Sequence, residues 1–204
     1  LTIPLQGLLK TLMDFRGRTP KKLGMDWGGG TVPALSALNV RPGEIQLEST
    51  KHFGSLELHN RWMVSGNTKK GDVVITTEAP LGNVAQIPDN ELYILSQRVI
   101  LLRPIPEVML STFLAYQLRS DNFQRLLQEN DSGSTVRGIR QSRLVRLSLP
   151  IPPLNEQRRI VTKIEALTAH SSRARAALDD IPTLIDQFRQ SVLAAAFRGD
   201  LTAD

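Results

Sequence analysis

Three prolines within four residues, Pro150, Pro152 and Pro153, divide this chain more firmly than any other feature of its sequence. Each lacks a backbone N–H and biases the residue before it toward extended backbone, so the stretch cannot be helix interior or central strand. Directly afterwards the character changes. Asn155 is placed to cap, Glu156 falls in a first turn where a carboxylate suits the helix dipole, and apolar residues recur at 160, 161, 164 and 167. The expectation is a stiff extended joint feeding a long amphipathic helix, with one module at 1–152 and a second at 153–204.

The second module has a coiled-coil pattern. Ile160, Ile164, Leu167, Ser171, Ala174 and Leu178 share a face at spacings of 4, 3, 4, 3 and 4. Asp180-Ile-Pro182 predicts a break or kink near Ile181, with Asp180 capping a second segment. There Leu184, Ile185, Phe188, Val192, Leu193, Ala196 and Phe197 keep the period, and Gly199 ends it. At ~1.5 Å per residue the two segments would reach roughly 65 Å. So long a stripe calls for a cover: a partner helix or, given the proline break, part of its own first domain.

In the first module, turn signals at Val40-Arg-Pro-Gly43, Lys69-Lys-Gly-Asp72, Ala79-Pro-Leu-Gly-Asn83 and Ile87-Pro-Asp-Asn90 separate short β-prone runs. The runs are Val73–Thr77, Asn83–Ile87 and Val99–Leu102. From Pro106 the pattern turns helical, with a break near Ser120-Asp121. The expected fold is α+β: a mixed, β-rich globular domain followed by a long C-terminal coiled-coil helix with a break near Pro182. Gly28-Gly-Gly30 lacks the spacing of a phosphate-cradling loop and reads as a structural turn.

Charge separates the modules again. After residue 152 seven basic residues balance seven acidic ones, so the whole net charge of +5 belongs to the first module. A basic globular half suggests a polyanion and a neutral helical half suggests protein, although a solvated surface with a modest bias explains the charge equally well. The sharpest local signal is Arg137, Arg140, Arg143 and Arg146, falling every third residue beside the small, polar Asn130–Thr135 stretch. Arginine suits phosphate and the acceptor face of guanine. A solvated helical turn followed by a strand would also tolerate the pattern; the interleaved glycines and hydroxyls favour nucleic acid.

Catalytic patterns are missing. Cysteine is absent, and His52, His59 and His170 have no metal-ligand spacing. Gly133-Ser134 lacks the context of a nucleophile elbow. Neither the Asn-Pro-Pro-Tyr nor the Asp-Pro-Pro-Tyr signature of amino-methyltransferases occurs, nor the acidic pattern of a nuclease. No catalytic residue, metal or cofactor is therefore expected. No run of eighteen apolar residues and no signal-peptide pattern is present, so a cytoplasmic protein without a membrane span is the simplest reading. The chain begins at Leu1 without Met, which leaves a processed N-terminus and a piece of a longer chain both open.

Two stretches, Leu149-Pro-Ile-Pro-Pro-Leu-Asn-Glu-Gln-Arg-Arg-Ile-Val161 and Arg189-Gln-Ser-Val-Leu-Ala-Ala-Ala-Phe-Arg-Gly-Asp-Leu-Thr202, closely resemble the DNA-specificity subunits of type I restriction-modification systems. Supporting matches are Trp27-Gly-Gly-Gly30, Lys70-Gly-Asp-Val-Val-Ile-Thr76 with Ala79-Pro-Leu-Gly-Asn-Val-Ala85, Leu95-Ser-Gln-Arg-Val99, and Ser132-Gly-Ser-Thr135 before Gly138-Ile139. The resemblance implies a target recognition domain followed by a spacer helix. In the family such units occur twice per chain, each domain reading one half of a split double-stranded DNA site. The helices pair antiparallel as a ruler, methyltransferase subunits dock there, and through them the restriction subunit. Catalysis resides in those other subunits.

One unit stands here where the family has two, so a natural half-subunit that dimerises and one half of a longer chain are both open. Recognition domains diverge, so the expected DNA contacts rest on local chemistry: Arg137, Arg140, Arg143, Lys69 and Lys70, then Arg16 and Arg18, with Lys21 and Lys22 on the backbone. The expected dimer or partner face is Ile160, Ile164, Leu167, Ala174, Leu178, Leu184, Phe188 and Val192. Two other readings remain: a recognition piece of a methyltransferase-fused enzyme, and a helical assembly subunit whose basic domain binds protein.

Overall fold

The computed structural model describes residues 1–131 and 137–201. In chain order the elements are β1 (Thr2–Pro4), β2 (Leu9–Asp14), β3 (Val32–Leu35), β4 (Val40–Arg41), β5 (Glu44–Ile45), β6 (Phe53–Gly54) and α1 (Leu56–Trp62). There follow β7 (Val73–Thr77), β8 (Leu81–Gln86), β9 (Ile94–Leu95), β10 (Val99–Pro104), α2 (Ser111–Arg119), α3 (Asp121–Glu129), α4 (Gln141–Leu144) and β11 (Ser148–Pro150). Two long helices end the chain, α5 (Leu154–Asp179) and α6 (Ile181–Arg198). A β-rich domain followed by a long helix bent at residue 180 is the expected α+β class. Two compact units result, Leu1–Val161 and Thr162–Asp204.

The centre of the first unit is an antiparallel four-stranded sheet in the order β2-β10-β7-β8. All five residues of β7 are buried, which one covered face could not achieve with a side-chain period of two. Val73 and Ile75 join Ile100, Leu102 and Val84 in a cluster closed by α2 and α3 through Phe113, Leu114, Leu118, Phe123 and Leu127. Val74 points the other way, with Leu101, Met13 and Ala85, into a cluster closed by Leu58 and Trp62 of α1 and by Leu35, Ile94 and Leu95. Ser120 both ends α2 and caps α3, its hydroxyl accepting the Phe123 N–H at 3.4 Å, so the expected break falls on a capping residue.

The proline joint is tied down inside this unit. Residues 2–4 pair with 148–150, and Ile151 donates to the Leu1 carbonyl at 2.8 Å. Pro150 is tolerated because β1 and β11 form only a two-stranded sheet. Gln157 on the first turns of α5 is fully buried. Its Nε2 donates to the carbonyls of Val108 and Pro152, both at 2.9 Å, and its Oε1 accepts the Leu110 N–H at 2.9 Å. Ile160 and Val161 pack against the same core. Ile160, expected on the partner face, is therefore half-buried by its own domain.

Both proposed caps of the long helices are corrected. Asn155 lies inside the first turn and accepts from Arg158 at 2.9 Å, while the Pro153 carbonyl receives the Glu156 and Gln157 amides. Asp180 keeps helical backbone (φ −79, ψ −18) and makes no side-chain cap bond, because an N-cap needs extended backbone to aim its oxygen at the next amides. Its amide still bonds the Ala176 carbonyl, so Pro182 bends the path at residue 180 without unwinding the turn before it. Gly199 ends α6 in the left-handed region, φ 80, as expected. In the second unit Leu167, Leu178, Leu184, Phe188 and Val192 are exposed, as is Ala174, and Ile164 is half-buried.

Candidate nucleic-acid interface

The antiparallel register assigns each basic residue to one end of the central sheet. One end is formed by the close of β2 and β7 and the start of β8 and β10, since Asp14 pairs with Ile100, Val99 with Thr76 and Thr77 with Leu81. Arg16 follows β2 there. Residues 137–140 return to the same end: Ile139 donates to the Thr77 carbonyl at 2.9 Å, and Gly138 bridges Glu78. Arg16 reaches across the junction, its Nη1 donating to the Ile139 carbonyl at 3.4 Å. The fold thus gathers Arg16, Arg137 and Arg140 from positions far apart in the chain.

Lys21 and Lys22 approach this end on a short 3-10 turn, Pro20–Leu23, and Arg18 stands just before that turn. Arg18 donates to the Trp62 carbonyl at 2.6 Å and stacks over Phe15 at 5.1 Å, so its guanidinium is positioned by architecture. Lys22 donates to the Gly17 carbonyl at 2.7 Å. Arg18 and Lys21 line a cleft of about 260 Å³ with Asp26, Trp27, Ser96 and Gln97. Trp27 stacks on His52 at 5.2 Å, and the adjoining glycines are structural: a Cβ on Gly30 would stand 2.6 Å from the Gly54 carbonyl oxygen.

The arginine series is not uniform. Arg140 is exposed at the start of α4, and Arg137 is exposed 3.7 Å from Asp131. Arg143 turns back instead, donating to the carbonyls of Asn130 and Asp131 at 3.5 and 3.3 Å. The expected Ser-Gly-Ser-Thr loop at 132–135 lies outside the described residues.

Lys69 and Lys70 lie at the opposite end of the sheet, in the turn before β7, about 20 Å away at ~3.3 Å per strand residue. Both side chains are exposed, and their backbone amides hold the turn by donating to Asp72 and Asn90 at 2.8 and 3.0 Å. At this end Arg103 grips Asp72 through two bonds of 2.7 and 2.6 Å, with side chains only 19% and 4% exposed. The hydrogen bond to Asp72 holds the Arg103 guanidinium above its usual pKa.

Sequence reasoning passed over Arg98 and Glu78. Arg98 is the residue before β10, has left-handed backbone at φ 68, and donates through Nε to Glu78 Oε1 at 3.0 Å. The left-handed turn that presents it leaves no mark in composition or periodicity. Among the described residues no group of three or more His, Asp or Glu side chains is placed to hold a metal, and no helix is long and apolar enough to cross a membrane.

The chain is similar to known proteins along most of its length. A family model described as the type I restriction modification DNA specificity domain matches residues 5–177. The specificity subunit of the type I restriction enzyme EcoKI from Escherichia coli K12 is 32% identical over 101 residues, 50% of this chain and 22% of that subunit. The EcoBI specificity subunit of Escherichia coli is 23% identical over 172 residues, 84% of this chain and 36% of its own length. The HsdS subunit from Thermoanaerobacter tengcongensis shares the fold with a TM-score of 0.66 at 20% identity, covering 98% of this chain and 45% of that one. The match thus spans less than half of each relative. With the family model matched from the end of β1 almost to the end of α5, the chain belongs to the type I restriction modification DNA specificity domain family.

Proposed function

We propose that this chain reads double-stranded DNA sequence-specifically as the specificity component of a type I restriction-modification system, without chemistry of its own. In this reading residues 1–152 are the target recognition domain and 153–204 the spacer helix that methyltransferase subunits, and through them the restriction subunit, engage. The observation that carries it is the convergence of Arg16, Arg137 and Arg140 on one end of the sheet, beside Arg98, Arg18 and Lys21, in a chain of this family. Arg98, Arg137 and Arg140 are exposed there and give both phosphate contact and forked donors for base edges, while Arg16 and Arg18 are half-buried and Asp14 holds Arg16 by bonds of 2.8 and 2.6 Å. Arg143 and Lys22 complete the proposed contacts at this end, and Lys69 and Lys70, at the other end of the sheet, are proposed as peripheral phosphate contacts of small effect.

The apolar stripe of exposed Leu167, Ala174, Leu178, Leu184, Phe188 and Val192, continued by half-buried Ile164 and with Ile160 at its base, is the proposed homodimer face. Selection from a random duplex library, with and without the methyltransferase subunits, tests the reading. A bipartite palindrome is the expected product of a homodimer and a single short motif that of an isolated domain; no enrichment overturns sequence recognition. Replacing Ile164 and Leu167 by Asp is expected to give a monomer, and a monomeric parent chain at micromolar concentration in light scattering overturns the dimer.

A further inference from the structure

Among the described residues, the only non-glycine residues with left-handed backbone are Ala79 at φ 42 and Arg98 at φ 68. Both lie in turns at the arginine-rich end of the sheet, and Glu78, next to Ala79, is the ion-pair partner of Arg98. Left-handed backbone at a residue with a side chain is unfavourable and persists where the surroundings enforce it. Here they do. The Arg98 carbonyl accepts from the Thr77 amide at 2.8 Å and from its hydroxyl at 3.3 Å. On the other side Glu78 is backed by Gly138, where an added Cβ would lie 3.2 Å from the Glu78 Cβ.

This construction presents an ion pair that contributes little to stability. The Arg98 and Glu78 side chains are 46% and 42% exposed, and pairs of such exposure are worth little in water. Arg98 uses only Nε in the pair, and its two terminal nitrogens make no other hydrogen bond among the described residues. Glu78 uses Oε1, and a carboxylate has acceptor capacity for more than one bond.

We infer that Arg98 and Glu78 together form a specificity-determining pair that reads one G·C base pair in the major groove. The inference rests on the DNA reading proposed above. In the major groove guanine presents two acceptors, N7 and O6, and cytosine presents the N4 amino donor beside them. The free fork of Arg98 meets the two acceptors, and Glu78 beside it accepts from the amino group. The carboxylate decides against a simple phosphate contact. A phosphate offers no donor and repels Glu78, whereas a cytosine edge supplies the donor an acid needs. An A·T pair would set the adenine amino group against the arginine fork and the thymine methyl against the charged pair.

Selection from a random duplex library with the parent chain, Arg98→Lys and Glu78→Gln, with and without the methyltransferase subunits, tests the pair. Arg98→Lys keeps the charge and loses the fork, and both variants should melt with the parent because the pair is exposed. The expected result is one G·C position, fixed in the parent consensus, that becomes degenerate in both variants while the other positions hold. Affinity for the parent site should fall about tenfold to a hundredfold. A consensus unchanged in both variants overturns the pair alone, as does Arg98→Lys weakening all sequences equally. A parent chain that retains no duplex at any salt concentration, with or without the other subunits, overturns the recognition reading and this pair with it.

Discussion

Arg98 and Arg103 open and close the same strand region and each meets an acid, yet the two pairs use these charges differently. At the Lys69–Asp72 end, Asp72 is buried, receives both Arg103 bonds and also accepts the Lys69 amide. A charge taken out of water there must be fully partnered, and it is. At the Glu78–Arg98 end, the acid and the arginine share one bond and keep much of their water, with Arg137 and Arg140 exposed nearby. The difference separates Arg103, held by the fold, from Arg98, Arg137 and Arg140, open to a ligand; Arg16 stands at the same end as these but is held by Asp14 through bonds of 2.8 and 2.6 Å.

The largest effect should come from breaking the buried pair. Asp72→Ala strands Arg103 and is expected to cost about 3–5 kcal/mol, whereas Glu78→Ala should cost less than about 1 kcal/mol. Urea unfolding of the two variants measures this, and equal losses would break the comparison. Next, Arg137→Ala with Arg140→Ala should lower DNA affinity and reduce the slope of log K against log salt by about 2. An unchanged slope in a binding titration would remove these arginines from the interface.

Lys69→Ala with Lys70→Ala sharpens the contrast from the other side. Standing about 20 Å from the arginines by strand rise, they are expected to change affinity less than about threefold. A drop in salt slope matching that of the arginine variant would mean the duplex runs along the whole sheet.

A further contrast at this end is Tyr93, whose buried ring ends in a hydroxyl that donates to Asp89 beside the Lys70 turn. Burial, then the Asp89 bond, push its pKa up to about 12 from 10.0. The folded state then holds the proton longer than the unfolded chain, so the stabilisation is complete below pH 10 and is lost as pH rises toward 12. Tyr93→Phe should lose about 1 kcal/mol at neutral pH and flatten the stability profile over that window. Unfolding curves at pH 8, 10 and 11 check it, and a parent profile already flat between pH 10 and 11 would contradict the shift.

Local chemistry made several elements legible in the chain. Val73–Thr77 reads as a strand from its β-branched residues, and the helix from Leu154 reads from its seam and the prolines before it. The bend beside Pro182 follows from a missing amide, and the stop at Gly199 from a backbone that only glycine adopts readily. Asn155 and Asp180 show the limit. Residue type suggests a cap, but the role depends on backbone angles that the neighbouring turn decides.

The candidate site was legible in part for the same reason. Arginine spacing pointed to residues 137–146, yet it could not show that Arg143 turns back onto the Asn130 and Asp131 carbonyls while Arg140 stays exposed. Nor could it separate Lys69 and Lys70 from the arginines, since which strand end a turn occupies is set by pairing direction. The buried tie made by Gln157 was equally hidden, because its three partners lie at residues 108, 110 and 152.

By itself, then, the sequence determined the change of character at the prolines, the charge on either side of it, the long helix and its bend, all consequences of residue type and of interactions between near neighbours in the chain. Tertiary structure decided which cations stand together and which are consumed by the fold. Arg16 meets Ile139, and Glu78 meets Arg98 and Gly138, through antiparallel register, a property of strand pairing over long separations that local pattern does not encode.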